Sequence, residues 1–269
     1  MLSKITKEDL LNIKRTQFQL PKEIKGKFVL TEEAKERLQK IKNFFDAKIP
    51  IILEGPTGTS KTKTIQVLCD ITKRTLIRFN LSNETTIEDL IGRLGSKDDS
   101  WSGFQFVPGP FTKAFEKGYV LLLDEVNLGQ KSVLQCMEAS LDTGIIKQDI
   151  PGYGQIEKKM HPDFIIVATQ NPKIEGFTNQ RDELSEKFLS RFTVIEFPAF
   201  EFTELREIGK GIANKNNYNK DEIVQKISDF HYEWVYKTED SKSSNQCFTV
   251  RDINATINAI SKGEEQVMQ

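Results

Sequence analysis

Ile51-Ile52-Leu53-Glu54-Gly55-Pro56-Thr57-Gly58-Thr59-Ser60-Lys61-Thr62 is the stretch on which the fold of this chain turns. An apolar run passes through a loop of small residues into Lys61 to Lys73, a segment with helical spacing, and this is the setting a phosphate-binding loop requires. Backbone N–H groups at the start of the helix can wrap a phosphate anion, and the positive end of the helix dipole favours one. Lys61 can then neutralise β and γ oxygens, and the Thr62 hydroxyl can ligate magnesium. Ser60 stands where such loops usually carry a glycine. A side chain is tolerated there if the backbone is in the ordinary helical region, so helical backbone is the expectation at Ser60. The bland alternative is a plain strand-to-helix turn.

Within and on either side of this stretch, five short apolar runs with β-branched residues read as strands: 49–53, 75–81, 119–123, 164–169 and 192–197. Most are continuous instead of alternating, as in strands covered on both faces. Helical segments fall between them at 61–73, 111–117, 132–141 and 183–190, and this alternation predicts a parallel α/β sheet. Upstream, Thr31 reads as an N-cap, with Leu38, Ile41 and Phe45 on one face of a helix ending near Ala47. After Ala199 the strand signals stop and three helices are expected, at 201–214, 221–236 and 250–261. The expected organisation is an N-terminal extension over 1–28, an α/β core over 29–198 and a helical lid over 199–269.

Val120-Leu121-Leu122-Leu123-Asp124-Glu125 delivers two carboxylates at the end of an apolar strand, the place where parallel α/β sheets keep their ligand sites. Asp124 is suited to the magnesium shell, and Glu125 to polarising an attacking water. The run Phe164 to Thr169 ends in Gln170-Asn171-Pro172, where the Asn171 amide can orient water or touch the γ-phosphate. An Asn-Pro turn is also a common structural device. Arg191 sits where a helix meets the last strand, a place that projects outward from the sheet and where an arginine is usually a surface residue or an ion-pair partner. Arg251 opens a lid helix whose apolar face is Ile253, Ile257 and Ile260. Thr249 is its expected N-cap, so Arg251 opposes the helix dipole and needs another reason to be there.

Composition narrows the function classes. Hydrophobic residues are 38% and charged residues 29%, a globular balance, and the net charge of −1 gives no bulk field for nucleic acid or anionic membrane. No apolar stretch approaches the roughly 18 residues a membrane span needs. Three cysteines without a paired spacing, and two histidines, argue against a disulfide framework or structural zinc and favour a reducing compartment.

Together these motifs resemble an AAA+ ATPase module of the midasin, dynein and MoxR-related branch. Residues 55–62 are similar to its Walker A loop, in which a small residue often replaces the last glycine. Asp124-Glu125 resembles Walker B, Ala168-Thr169-Gln170-Asn171-Pro172 the sensor 1 strand, Leu189-Ser190-Arg191-Phe192 the arginine-finger segment, and Arg251 the sensor 2 position. Gly103 to Phe111, Ala114, Gly118, Asn127-Leu128, Arg181, Leu184 and Ser185 are similar to midasin modules in particular.

The resemblance implies a P-loop core whose five parallel strands run 5-1-4-3-2, with a C-terminal helical lid. It also implies an inserted hairpin over 92–110, on whose Trp101, Phe104 and Phe106 the bland expectation is packing against the core. ATP and Mg2+ would be the cofactors, held by Gly55, Pro56, Thr57, Gly58, Thr59, Ser60, Lys61, Thr62 and Lys63, with Thr62 and Asp124 on the metal. Glu125, Asn171, Arg191 and Arg251 would be catalytic, with Arg191 acting on a neighbouring module.

The implied activity is ATP hydrolysis coupled to remodelling a protein or ribonucleoprotein assembly. The implied partners are neighbouring AAA+ modules, as copies in a ring or in tandem within a longer chain. Direct nucleic-acid binding and membrane association are not expected, and the implied location is intracellular, cytoplasmic or nuclear. The alternatives are a structural nucleotide-binding module with little turnover, a MoxR-like chaperone ATPase, and a DNA-translocating motor, which the net charge disfavours.

Overall fold

The computed structural model describes residues 28–97, 103–150, 152–171, 184–216, 218, 220–237 and 250–267. They divide into two compact units. One holds the described residues up to Ile41, Gly55–Val67 and those from Phe197 on, and the other holds Lys42–Glu54 and Leu68–Glu196.

The second unit is built on a parallel sheet of five strands: β1 (Ile51–Glu54), β2 (Leu76–Asn80), β5 (Val120–Asp124), β8 (Ile165–Gln170) and β9 (Thr193–Glu196). Across the sheet they lie β2-β5-β8-β1-β9. Counted among themselves along the chain this is 5-1-4-3-2, the order the resemblance implies. The three central strands are apolar and buried over nearly their whole length, which is why they read as continuous runs. The outer strands β2 and β9 alternate in exposure, as edge strands do. In register, Ile52 lies between Ala168 and Val194, and Leu122 between Arg78 and Val167.

Two antiparallel hairpins stand off this sheet. β3 (Gly92–Ser96) pairs with β4 (Phe104–Pro108), giving the hairpin expected over 92–110. Phe106 packs on the core, but Phe104 is 62% exposed, so the expectation that it packs there fails; Trp101 lies outside the described residues. The second hairpin, β6 (Ile145–Ile150) with β7 (Gly154–Lys159), was not expected from sequence. Its strands carry Lys147, Asp149, Glu157 and Lys159 among the apolar residues, a half-polar pattern that sets no continuous run.

The helices follow their local signals. Thr31 Oγ1 accepts the Ala34 N–H (3.1 Å) and caps α1 (Glu32–Asp46), whose Leu38, Ile41 and Phe45 are fully buried. Then come α2 (Lys61–Thr72), the short α3 (Ile87–Ile91), α4 (Pro110–Lys117), α5 (Lys131–Thr143) and α6 (Glu186–Leu189). The last is shorter than the 183–190 expected, and residue 183 lies outside the described residues.

In the first unit, α7 (Phe202–Lys215), α8 (Asp221–Lys237) and α9 (Val250–Val267) are the three helices expected after Ala199. Their core includes Leu205, Val224, Ile253 and Ile257. Buried Glu204 accepts Arg37 Nη1 (3.0 Å), Arg37 Nη2 (2.8 Å) and Thr31 Oγ1 (3.1 Å), so its charge is both paired and hydrogen-bonded, the condition for keeping a carboxylate out of water.

Candidate nucleotide site

The loop 55–60 leaves the end of β1 and opens α2, as the sequence requires. Gly55 has no room for a side chain: a Cβ there would lie 1.9 Å from the Phe197 carbonyl oxygen. Gly58 takes φ +89°. Lys61, 8% exposed, donates to the carbonyls of Gly55 (2.7 Å) and Pro56 (2.8 Å), so its ammonium lies folded over the loop. The Ser60 carbonyl accepts the Thr64 N–H (2.8 Å) and hydroxyl (2.9 Å), closing the first helical turn behind the loop.

Ser60 itself corrects the sequence expectation. Its φ is +64°, in the left-handed region, so the residue at the glycine position keeps a glycine's backbone and bears the steric cost of a Cβ there. Glu125 is in the same region at φ +55°. The other non-glycine residues with positive φ among those described, Lys48 and Lys73, follow the ends of α1 and α2, where helices commonly finish in this conformation.

The carboxylates occupy the C-terminal end of β5. Asp124 is 4% exposed; its Oδ1 accepts Thr169 Oγ1 from the neighbouring β8 (2.9 Å), and its Oδ2 accepts Arg78 Nε from β2. Thr169 Oγ1 in turn accepts the backbone N–H of Glu125 (3.3 Å). Asn171 directly follows β8, so it does fall between the β1 and β5 positions of the sheet order, and its carbonyl accepts Asn127 Nδ2 (3.3 Å). Asp124, Glu125, Thr169 and Asn171 are thus brought together at one end of the sheet.

Arg191 is elsewhere and is an ion-pair partner, one of the two ordinary roles expected of an arginine at this place. Its guanidinium lies back on α5, with Nε donating to Asp142 Oδ1 (2.7 Å), Nη2 to Asp142 Oδ2 and Nη1 to the Lys187 carbonyl, while Glu138 Oε2 is 4.0 Å from Nη1. The hydrogen bonds from Arg191 hold the Asp142 carboxyl below its usual range. Arg251 is the second residue of α9 and is exposed, on a helix anchored through Ile253 and Ile257; its expected cap, Thr249, lies outside the described residues.

The donor set suits nucleotide and magnesium. Hydroxyl and carboxylate oxygens are hard ligands, and magnesium takes one or two carboxylates together with substrate phosphates, without a dedicated cage. No group of three or more His, Cys, Asp or Glu poised for a metal occurs among the described residues. Sequence reasoning missed Thr169 as the link between Asp124 and Glu125, although it was in view beside Asn171. It also missed Arg78 and Asp142, which in sequence are charged residues on an edge strand and a helix surface with no local signal.

A phosphate-type loop after the first strand of a 5-1-4-3-2 parallel sheet, with a carboxylate pair ending the third, defines a P-loop α/β fold. The chain belongs to the AAA domain family, dynein-related subfamily, whose profile matches residues 50–192. It is 33% identical over 182 residues to midasin of Dictyostelium discoideum, covering 67% of this chain but only 3% of that protein. It is 26% identical over 224 residues to an uncharacterized protein of Staphylococcus epidermidis, covering 82% of this chain and 78% of that one. Among solved structures, NtrX from Brucella abortus in complex with ADP shares the fold at TM-score 0.60 and 14% identity, covering 89% of this chain and 52% of that one. The chain is therefore a midasin- and dynein-related AAA+ module. Among the described residues no helix is long and apolar enough to cross a membrane.

Proposed function

We propose that the chain binds ATP with magnesium and hydrolyses it, and that the energy remodels a protein or ribonucleoprotein assembly. The observation that carries the ATPase reading is the carboxylate pair: a buried Asp124 held at one oxygen by Thr169, followed by Glu125 in a strained left-handed turn. A module that only held nucleotide would need the phosphate-binding groups and not this pair.

Residues 55–63 bind the phosphates, with loop and helix N–H groups as donors and Lys61 exchanging its loop carbonyls for phosphate oxygens. Thr62 and Asp124 hold magnesium, which when bound supplies charge neutralisation of the β and γ oxygens. Glu125 orients and deprotonates the attacking water, and Asn171 positions it from the adjoining strand end. Residues 199–269 act as a lid that senses the nucleotide through Arg251, and Arg191 serves the site of a neighbouring module; the N-terminal extension expected over 1–28 lies, but for residue 28, outside the described residues. That neighbour is another module of a longer chain or a second copy of this one. The short extent of the match to midasin favours the former, and the comparable length of the staphylococcal protein favours the latter.

Calorimetry and turnover test this directly. Lys61→Ala is expected to lose ATP binding, because the phosphate charge is left uncompensated. Glu125→Gln is expected to bind ATP and retain it unhydrolysed. Unchanged affinity in the first variant rejects the phosphate loop, and wild-type turnover in the second rejects Glu125. Binding with no turnover by the wild-type protein at any concentration selects the structural-module alternative.

A further inference from the structure

We propose that Arg78 is a positioning residue that sets the divalent-cation requirement of Asp124. This rests on the nucleotide reading above and adds to it a group outside all the motifs.

Arg78 lies on β2, opposite Leu122 of β5 and so two residues before Asp124 in register. Its Nε donates to Asp124 Oδ2, while Oδ1 is held by Thr169 Oγ1 at 2.9 Å. The two partners differ in kind. Thr169 is buried on a central strand, and its short side chain is fixed by a second contact, the Glu125 N–H at 3.3 Å. Arg78 is on an edge strand, its side chain is 52% exposed, and its long stem gives it somewhere to go. One carboxylate oxygen is therefore oriented permanently and the other by a displaceable cation.

A guanidinium cannot shed its proton to make room, because it is charged at every accessible pH. A divalent ion sharing Asp124 must therefore work against a fixed positive charge or drive the Arg78 side chain away. Either course raises the cation concentration at which the site fills. Metal loading and release of Arg78 from Asp124 thus become one coupled step. The rival description is a purely structural ion pair joining β2 to β5, whose loss would leave the metal requirement where it was.

The test is a magnesium titration of nucleotide affinity, read by fluorescence of a labelled ADP, in wild type, Arg78→Gln, Arg78→Lys, Asp124→Asn and the Arg78→Gln/Asp124→Asn double variant. Arg78→Gln is expected to lower the magnesium midpoint about 3- to 10-fold, the scale of a partly exposed charge-assisted hydrogen bond. Arg78→Lys should fall between, since it keeps the charge but loses the planar fork. In the Asp124→Asn background the Arg78 change should have no further effect. An unchanged midpoint in Arg78→Gln, with a thermal unfolding profile like wild type, overturns the proposal. A raised midpoint also overturns it, because Arg78 would then be helping Asp124 to ligate. Failure of the underlying reading looks different: wild type would bind no labelled ADP, or bind it with the same magnesium dependence as Asp124→Asn.

Discussion

Ser60→Gly should stabilise the protein, against the usual expectation that a glycine placed at the start of a helix weakens it. At φ +64° a non-glycine residue bears about 1–2 kcal/mol of steric cost that glycine does not. Against this stands the larger backbone freedom that glycine loses on folding, about 0.5–1 kcal/mol. The difference leaves a net gain of about 1 kcal/mol, which for a chain of this size raises the unfolding midpoint by about 2–4 °C. Ser60→Ala keeps the Cβ and the strain and should gain nothing. Lys73→Gly, at φ +54° beyond the end of α2, provides a calibration of the same backbone region away from the motif and should gain a similar amount. Thermal and urea unfolding of the three variants give the comparison, and nucleotide affinity of Ser60→Gly should be retained, since the loop already holds a glycine-like backbone. If Lys73→Gly is stabilised while Ser60→Gly is no better than Ser60→Ala, the left-handed backbone at Ser60 is refuted.

The remaining predictions concern charge. Arg191→Ala should bind ATP normally yet lose about 10³-fold or more of its turnover if Arg191 meets the γ-phosphate of a neighbour, the scale of an arginine finger supplied in trans. Because Asp142 grips that guanidinium by both oxygens, Asp142→Asn should raise turnover at low protein concentration about two- to fivefold; unchanged turnover at every concentration would show that the pair restrains nothing. Burial holds the ring of His231 below its ordinary pKa, with Asp252 opposing. Folding then favours the neutral ring, the unfolded chain takes up the proton first, and stability should fall as pH drops below about 6.5. His231→Gln should flatten that slope in urea titrations at pH 7 and 5.5, and an identical slope would remove His231 as its source.

The parts of the fold visible in the sequence were those whose physics is local. β1, β5 and β8 are covered on both faces, so their runs are unbroken, and Thr31 and the loop 55–60 announce helix starts through their own side chains and glycines. The β6–β7 hairpin escaped because only Ile146 of its residues is buried and polar or charged residues interrupt its apolar ones, so no continuous run marks it. Arg78 and Asp142 escaped for another reason. Each has its meaning only through a partner 46 or 49 residues away, and a lone charge on an edge strand or helix surface is ordinarily solvated.

Ser60 and Glu125 show a limit of a different kind, because residue type alone does not fix φ. Glu125 directly follows the buried strand β5, and Ser60 ends the loop after β1 and immediately precedes α2. At Glu125 the turn lets the backbone N–H reach Thr169 Oγ1, the same oxygen that donates to Asp124. One hydroxyl thereby ties the orientation of the buried carboxylate to the backbone of the next residue. At Ser60 the turn leaves the carbonyl pointing into the first helical turn, where Thr64 takes it twice, and leaves Lys61 to fold over the loop. In both places the strained residue's own backbone is hydrogen-bonded to a neighbouring backbone or hydroxyl group. The strain is therefore a cost of aiming adjacent groups, and it persists because the surrounding hydrogen bonds over-determine the backbone there.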